Sequence, residues 1–245
     1  MTRIAAAARL LDEAIAARAF PGAALEVGRL AGPIWQDAFG RLTFDSDAPE
    51  VTRETVYDLA SLTKVIATAT LTMQQVEAGT LSLEDRVHDR LPVWAGTDRA
   101  DVTIADLLEH ASGLTAYLPF FRDHTGRAEF EHAIASLPLE YPPRTRSIYS
   151  DLGFMLLAFI LEDAGGAPFA RLFSSLFPVD DAAPLAFNPP RAWRARTAPT
   201  EEDAWRGRML QGEVHDENAW ALGGAAGHAG LFGTAAAVGS FARLV

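Results

Sequence analysis

No cysteine occurs among the 245 residues of the chain. Its absence excludes disulfide bonds, thiol catalysis and metal sites built on thiolates. The six histidines are scattered and no H-E-x-x-H pair is present, so a zinc site of that type is not predicted. We therefore expect a protein that uses neither a metal ion nor another cofactor.

Long hydrophobic runs are missing as well. No window approaches the roughly 20 uninterrupted apolar residues that span a bilayer. The N-terminal segment carries charges at Arg3, Arg9, Asp12, Glu13 and Arg18, which leaves no secretory hydrophobic core. We expect a cytoplasmic protein, or a periplasmic or secreted one if a leader has been removed.

Positive charge is in short supply. The formal net charge is −11 at pH 7, which repels nucleic-acid phosphates and anionic membrane surfaces. One basic cluster, Arg191, Arg194 and Arg196, lies in a proline-rich stretch, and we interpret it as a solvated loop. The expected partner is a small molecule, with no nucleic acid and no membrane span. The pattern predicts no particular oligomeric state.

The N-terminal part predicts a helix followed by two strands. An alanine-rich amphipathic helix is expected from about Thr2. Segments 23–30 and 33–43 are typical of strands, with a Gly/Pro turn between them. Two strands alone make a marginal sheet, yet the rest of the sequence favours helices.

Helices are predicted over most of the remaining chain. A broad apolar surface predicts a central buried helix that ends at Gly79. Thr103 is expected to cap the next helix, with Asp106 at its third position. The stretch 178–227 is rich in proline, glycine and charge, and little regular structure is expected there. The later helices are expected at about 103–110, 127–137, 150–165 and 234–245.

A serine and a lysine stand at the head of the buried helix. Ser61 and Lys64 are three residues apart, on one helical face and within hydrogen-bonding reach. A serine hydroxyl is a weak nucleophile that needs an adjacent base, and a lysine can serve when it is removed from water. The spacing alone is common in helices. The apolar flanks, 56-VYDLASLTKVIAT-68, predict that Lys64 is buried and so favour a catalytic pair.

Tyr149 precedes another strongly apolar helix, which Ser150 or Asp151 can cap. A tyrosine near a lysine ammonium can be held partly as phenolate, which is a competent base for serine. The alternative is an aromatic side chain that only anchors the start of the helix. Both interpretations remain open from the residues alone.

Together these motifs resemble the serine β-lactamase and penicillin-binding-protein superfamily. The chain is similar to its class C-like branch, which includes family VIII esterases and peptidases that handle D-amino acids. The likeness follows the family's order and is carried by Ser61-x-x-Lys64, 107-LLEHASGL-114, Tyr149-Ser150-Asp151 and the glycine-rich 223–244.

The resemblance implies an α+β fold, in which a helical subdomain packs on an antiparallel sheet flanked by helices. We expect a single domain. Its parts are the N-terminal helix and first strands (1–60), a mainly helical subdomain with long loops (61–230), and the start of a C-terminal helix (231–245).

By position, the resemblance implies that Ser61 is the nucleophile and that its own N–H lies in the oxyanion hole. Lys64 would share or relay the proton, and Tyr149 would act in general acid–base transfer. Asp151 stands where many relatives have asparagine. A carboxylate there favours the charged ammonium, which makes Tyr149 the better candidate base. A class A register over 150–152 is disfavoured, because Leu152 cannot supply the amide.

The family's third motif, a Lys-Thr-Gly or His-Thr-Gly strand, is missing from its expected place. The tripeptide 124-HTG-126 precedes Tyr149 and lies in a polar stretch, so we interpret it as a chance match. The tripeptide 228-HAG-230 belongs to the glycine-rich loop that precedes this motif in relatives. We therefore expect a C-terminally truncated chain with an incomplete sheet and oxyanion hole.

The loop 212–224 is expected along the substrate cleft. His215, Asp216, Asn218 and Trp220 are candidates for substrate contact there; Asp151 and His228 are candidates outside it. Equally, His215 and Asp216 could simply cap and pin the loop.

The predicted function is a serine hydrolase that forms an acyl-serine on an ester, amide or β-lactam bond. The alternative is a penicillin-binding or ligand-sensing relative that does not turn over. The sequence does not distinguish esters, D-amino-acid peptides and β-lactams.

Overall fold

The computed structural model describes residues 3–177 and 184–244. Within these ranges the chain mixes helices with short antiparallel strands, which confirms the predicted α+β class. The predicted start near Thr2, the predicted end at Val245 and residues 178–183 of the irregular stretch lie outside the described residues. In chain order the elements are α1 Arg3–Ala16, β1 Gly22–Arg29, β2 Gly32–Gly40, β3 Tyr57–Asp58, α2 Thr70–Glu77, α3 Val87–Arg90, α4 Ile104–Leu108, α5 Gly126–Ala135, α6 Asp151–Gly165, α7 Phe169–Leu176, β4 Leu185–Phe187, β5 Glu202–Asp203, β6 Arg208–Met209, α8 Glu217–Ala221, β7 Leu231–Gly233 and α9 Ala235–Ala242.

The chain divides into two compact units. The first contains Met1–Asp58, Val179–Glu213 and Phe232–Val245, and the second contains Leu59–Pro178 and Val214–Leu231. The sequence grouped 61–230 into one helical subdomain, whereas the structure groups 184–213 with the N-terminal hairpin. The single-domain assignment stays a prediction.

The first unit is organised by the hairpin of β1 and β2, which pair antiparallel from Gly22 opposite Gly40. Helices α1 and α9 contact this hairpin. Glu26 accepts from Gln36 Nε2 at 2.6 Å and from Arg243 Nη1 at 2.5 Å, so this buried carboxylate is satisfied from a neighbouring strand and from the C-terminal end of α9. Both predicted strands are therefore present, each within a few residues of its expected bounds.

The described part of the chain contains five further strands that were not predicted from the sequence. β3, β7 and β4 form a three-stranded sheet in that order, and β5 pairs with β6. Each of these strands has only two or three residues. A strand that short cannot show a period of two, which is the sequence signal for a half-buried strand.

The second unit is built around α6. Ten consecutive residues of this helix, 152–161, are buried, and α2, α4, α5 and α7 contact it. Ser150 caps its N-terminus through Gly153 N, and Gly166 ends it in the left-handed conformation with φ of 65°. The predicted α4 is present as well, with Thr103 and Asp106 forming a reciprocal capping box.

In the described part of the chain, no single helix is long and apolar enough to cross a membrane. Taken together, α6 and α7 meet the criteria of length and composition, but they are bent by 72° at the break between them.

Gly227 makes a backbone approach to α6 that leaves no room for a side chain. An ideal Cβ there would lie 2.0 Å from Phe154 O and 2.9 Å from Ala158 Cβ. Gly153, inside α6, has space, because an added Cβ would meet the side chain of Leu107 at 3.6 Å.

Gly227→Ala is therefore expected to lower the free energy of unfolding by about 1–3 kcal/mol through overpacking. Gly153→Ala is the matched control, expected to raise it by about 0.5–1 kcal/mol through helix propensity. Urea unfolding followed by circular dichroism measures both, and equal stabilities of the two variants would contradict the packing described.

Candidate active site

Ser61 is exposed at the start of the helix that continues into α2. The preceding residue, Ala60, has a φ of 46°, in the left-handed region that costs a residue other than glycine about 1–2 kcal/mol. Hydrogen bonds from Leu62 N to Leu59 O and from Thr63 N to Ala60 O, both at 3.0 Å, close this turn. Strain of this kind concentrates where a functional side chain must be presented.

Lys64 is buried, with 3% of its surface exposed. Its Nζ donates to Ser61 Oγ at 3.0 Å and to the backbone oxygen of His228 at 3.1 Å. The same Nζ forms an ion pair with Asp151 Oδ1 at 2.7 Å and lies 4.7 Å from the ring centroid of Tyr149. The predicted pair of Ser61 and Lys64 is thus brought together with Tyr149 and Asp151 in one place.

Two buried threonines hold the chain segment that faces Lys64. Thr68 Oγ1 donates to Gly227 O at 2.6 Å, and Thr63 Oγ1 accepts from Leu231 N at 3.1 Å. The segment 227–231 therefore lies along the helix that carries Lys64. That helix is π-helical over Lys64–Ala69, a local widening that is frequent at functional sites.

Lysine occurs once in the whole sequence, at position 64, whereas arginine occurs 20 times. The prediction of the catalytic pair rests on the spacing of Lys64 from Ser61 and does not use this count. The one lysine of the sequence stands where the structure buries its amine beside a serine hydroxyl. The count was a stronger signal than the three-residue spacing.

Both interpretations of Tyr149 that the sequence left open remain open in the structure. It immediately precedes the cap of α6, and its ring lies over the Lys64 ammonium with about half of the residue exposed. The next residue is firmly anchored, since Ser150 Oγ donates to Thr115 O at 2.7 Å and Asp151 N donates to Ala116 O at 2.9 Å. The start of α6 therefore fixes where the phenol stands.

His110 is a site residue that the sequence did not single out, although it lies in the quoted 107–114 motif. Its ring stacks on Tyr149 at 4.6 Å between centroids, and its Nδ1 accepts from Ser150 N at 3.0 Å. Burial and the nearby Lys64 ammonium lower the pKa of His110 below its ordinary value, although Asp151 opposes them. A neutral imidazole is the form that can accept the Ser150 N–H.

The predicted substrate contacts divide into two groups. His215 and Trp220 are exposed, and Asp151 is partly exposed beside Lys64, so these three remain predictions. Asn218 and His228 are fully buried, and their contact with a substrate also stays a prediction. Asn218 lies in the short helix α8 and His228 in a glycine-rich turn. Neither segment is long enough to show its buried positions as a periodic pattern in the sequence.

Asn218 joins α8 to the turn at 118–121. Its Oδ1 accepts from Phe121 N at 2.9 Å and its Nδ2 donates to Leu118 O at 2.8 Å. Both ends of the amide are therefore used, as a buried amide requires.

The partly exposed Asp216 and the fully buried His228 form a second polar pair. His228 Nε2 lies 2.9 Å from Asp216 Oδ1, which also accepts from Ala219 N at 2.7 Å and caps α8. Burial raises the pKa of Asp216, but the hydrogen bond and charge of His228 outweigh it and hold that pKa at about 2. Asp216 therefore caps α8 and pins the loop, which is the alternative to a contact with substrate.

The tripeptide 124–126 does not form a strand. Thr125 precedes α5, Gly126 begins it with φ of 70°, and the ring of His124 packs on Phe120 and Phe130. Across residues 3–177 and 184–244, no group of three or more histidine, aspartate or glutamate side chains is arranged to hold a metal ion.

Known proteins share this architecture. A protein of Salmonella gallinarum named "Putative D-alanyl-D-alanine carboxypeptidase" is 31% identical over 211 residues, which are 74% of this chain and 48% of that protein. The chain thus spans about half the length of the curated relatives it matches.

Two solved structures show the same fold. The D-alanine carboxypeptidase AmpC of Burkholderia cenocepacia is 25% identical with a TM-score of 0.76, and the match covers 96% of this chain and 62% of that one. The class C β-lactamase of Rhodobacter sphaeroides, 21% identical with a TM-score of 0.76 and coverage of 98% and 64%, supports the fold alone. The family model described as Beta-lactamase matches residues 7–245, and with this match over nearly its whole length the chain belongs to the β-lactamase family.

Proposed function

We propose that the protein is a serine hydrolase that works through an acyl-Ser61 intermediate. The observation that carries this proposal is the contact of 3.0 Å between the exposed Ser61 hydroxyl and the buried Nζ of the only lysine. Arginine supplies positive charge at 20 other positions but is not deprotonated in proteins. What lysine adds is a compact group that fits beside Ser61, donates to its hydroxyl and can stabilise negative charge on Tyr149.

Lys64 Nζ donates to Ser61 Oγ and pairs with the Asp151 carboxylate, so its hydrogen bonds are directed at acceptors. We assign the base that accepts the serine proton to another group. Tyr149 is the candidate, because its ring lies on Lys64 and the ammonium would stabilise negative charge on the phenol oxygen.

The proposed reaction has two halves. Ser61 Oγ gives its proton to Tyr149 and bonds to the carbonyl carbon, and Tyr149 then returns that proton to the leaving group as its bond to carbon breaks. Water repeats the sequence on the acyl-serine and releases the acid. Negative charge on the carbonyl oxygen would develop near the helix start at Ser61, where the dipole is favourable.

Substrates that end in D-alanyl-D-alanine are the first class to test. The Salmonella and Burkholderia relatives both carry names of D-alanine carboxypeptidases, and both are at least 25% identical to this chain. A β-lactam presents the same reacting group, an amide carbonyl, held in a strained ring. An activated ester presents the easiest leaving group.

Ser61→Ala is expected to abolish covalent labelling by a fluorescent penicillin and to reduce p-nitrophenyl ester turnover by about 10³-fold or more. Ser136→Ala, which alters an exposed serine at the end of α5, is the control and should behave as wild type. Intact-mass spectrometry locates the adduct. Stable labelling without turnover would favour the penicillin-binding alternative, and a wild-type protein that neither labels nor turns over would refute both.

Lys64→Arg keeps a positive charge but replaces a compact, buried amine by a larger planar guanidinium. Acylation of Ser61 is expected to slow by about 10²–10⁴-fold, because the guanidinium cannot take the place of Nζ beside Ser61 and Tyr149, and Tyr149 then loses the charge that makes it a competent base. Stopped-flow burst kinetics with the same ester measures the step, with Lys64→Met as the uncharged comparison. Arginine that restored activity to within a few-fold of wild type would show that charge alone suffices.

The lowered pKa of His110 makes stability depend on pH. The folded state keeps the imidazole neutral while the unfolded chain protonates it, so the stabilisation is full above pH about 6.5 and falls as the pH drops from there towards the folded pKa. His110→Asn tolerates the same backbone, whose φ is 57°, and does not titrate.

Urea unfolding midpoints between pH 5 and 7 are therefore expected to fall more steeply for wild type than for His110→Asn. Parallel pH profiles for the two proteins would contradict this account of His110.

A further inference from the structure

The backbone oxygen of His228 is one of the groups that replace water around Lys64. It accepts from Nζ at 3.1 Å, between the hydroxyl of Ser61 and the carboxylate of Asp151. Rotation of the peptide after His228 would withdraw this acceptor and leave part of a buried ammonium unsatisfied. The position of this peptide is therefore a requirement of the site.

The side chain of His228 is held by a contact that does not involve its backbone oxygen. It is fully buried, and its Nε2 reaches Asp216 Oδ1 at 2.9 Å. The carboxylate of Asp216 is ionised at neutral pH, since its pKa is about 2, so Nε2 carries the proton and donates. This bond sets the direction of the imidazole from the Cα of His228.

Asp216 is itself held in place by a chain of contacts. Its Oδ1 caps α8 through Ala219 N, and Asn218 ties α8 to Leu118 and Phe121. Asp216 therefore presents its carboxylate to His228 from a secured helix end.

The second ring nitrogen of His228, Nδ1, is buried and has no hydrogen-bond partner among residues 3–177 and 184–244. A buried unpaired nitrogen costs free energy, and an apolar side chain would fill this space without that cost. Stability alone therefore does not account for histidine here. The bond to Asp216 is what an apolar residue could not make.

We propose that the Asp216–His228 pair is a positioning device, which orients the peptide of residue 228 so that its oxygen holds Lys64 against Ser61. Neither side chain touches the reacting atoms in this assignment. The consequence for catalysis rests on the proposed function, but the placement of Lys64 does not.

The single lysine allows that placement to be observed directly. Protein grown on [6-¹³C]lysine gives one ¹³Cε resonance, from Lys64, whose chemical shift reports the surroundings of the ammonium. Acylation of Ser61 by the p-nitrophenyl ester supplies the second readout.

Three variants separate positioning from general packing. His228→Ala removes the pair, and Asp216→Ser keeps a residue able to cap α8 while losing reach to His228. His228→Gln places an amide donor close to the position of Nε2 and should restore the bond. His132→Ala, at an exposed histidine of α5, is the control.

We expect the Lys64 resonance to shift in His228→Ala and in Asp216→Ser, and to return towards wild type in His228→Gln. Acylation is expected to slow by roughly 10- to 100-fold in the first two variants and to recover in the third, as for a small displacement of a reacting group. Should His228→Ala fail to fold, Asp216→Ser decides.

The proposal would be overturned if the folded Asp216→Ser protein kept the Lys64 resonance and the acylation rate of wild type. It would also be overturned if His228→Gln restored neither of them. If wild type shows no Ser61-dependent acylation, the proposed function fails, and the resonances alone decide whether the pair positions Lys64.

Discussion

Burying an ammonium costs several kcal/mol unless other groups replace the lost water, and Lys64 meets this requirement with partners from three separate stretches of chain. The Ser61 hydroxyl comes from the same helix, the Asp151 carboxylate from the start of α6, and a peptide oxygen from the segment 227–231. Ser150 caps the helix that begins at Asp151, and the buried Thr68 holds the segment 227–231 through Gly227 O. The second unit thus brings together the polar groups that replace the water lost around the buried Lys64 side chain.

The larger features of this arrangement were readable from the sequence. The apolar run of α6, its serine cap and terminal glycines, and the capping box of α4 all follow from local rules, and the structure has each of them. The contact of Ser61 with Lys64 follows from helical spacing. These signals are local, so a single sequence carries them.

What could not be read depended on contacts between distant segments. Strands of two or three residues exist only because another segment pairs with them, and the burial of Asn218 and His228 is decided by residues about 100 and 160 positions away. His110 was visible in its motif, but its stacking on Tyr149 was not. The count of one lysine, by contrast, is visible in the sequence and singles out Lys64 without any structure.

The solitary lysine also has a consequence for the chemistry of the whole surface. The 245 residues carry one side-chain amine, and it is enclosed while the chain is folded, because Lys64 is buried. Reagents and enzymes that modify amines would therefore meet a reactive side chain only when the second unit opens. Because arginine side chains carry no primary amine, the rate at which an amine reagent modifies Lys64 would report local unfolding of the second unit.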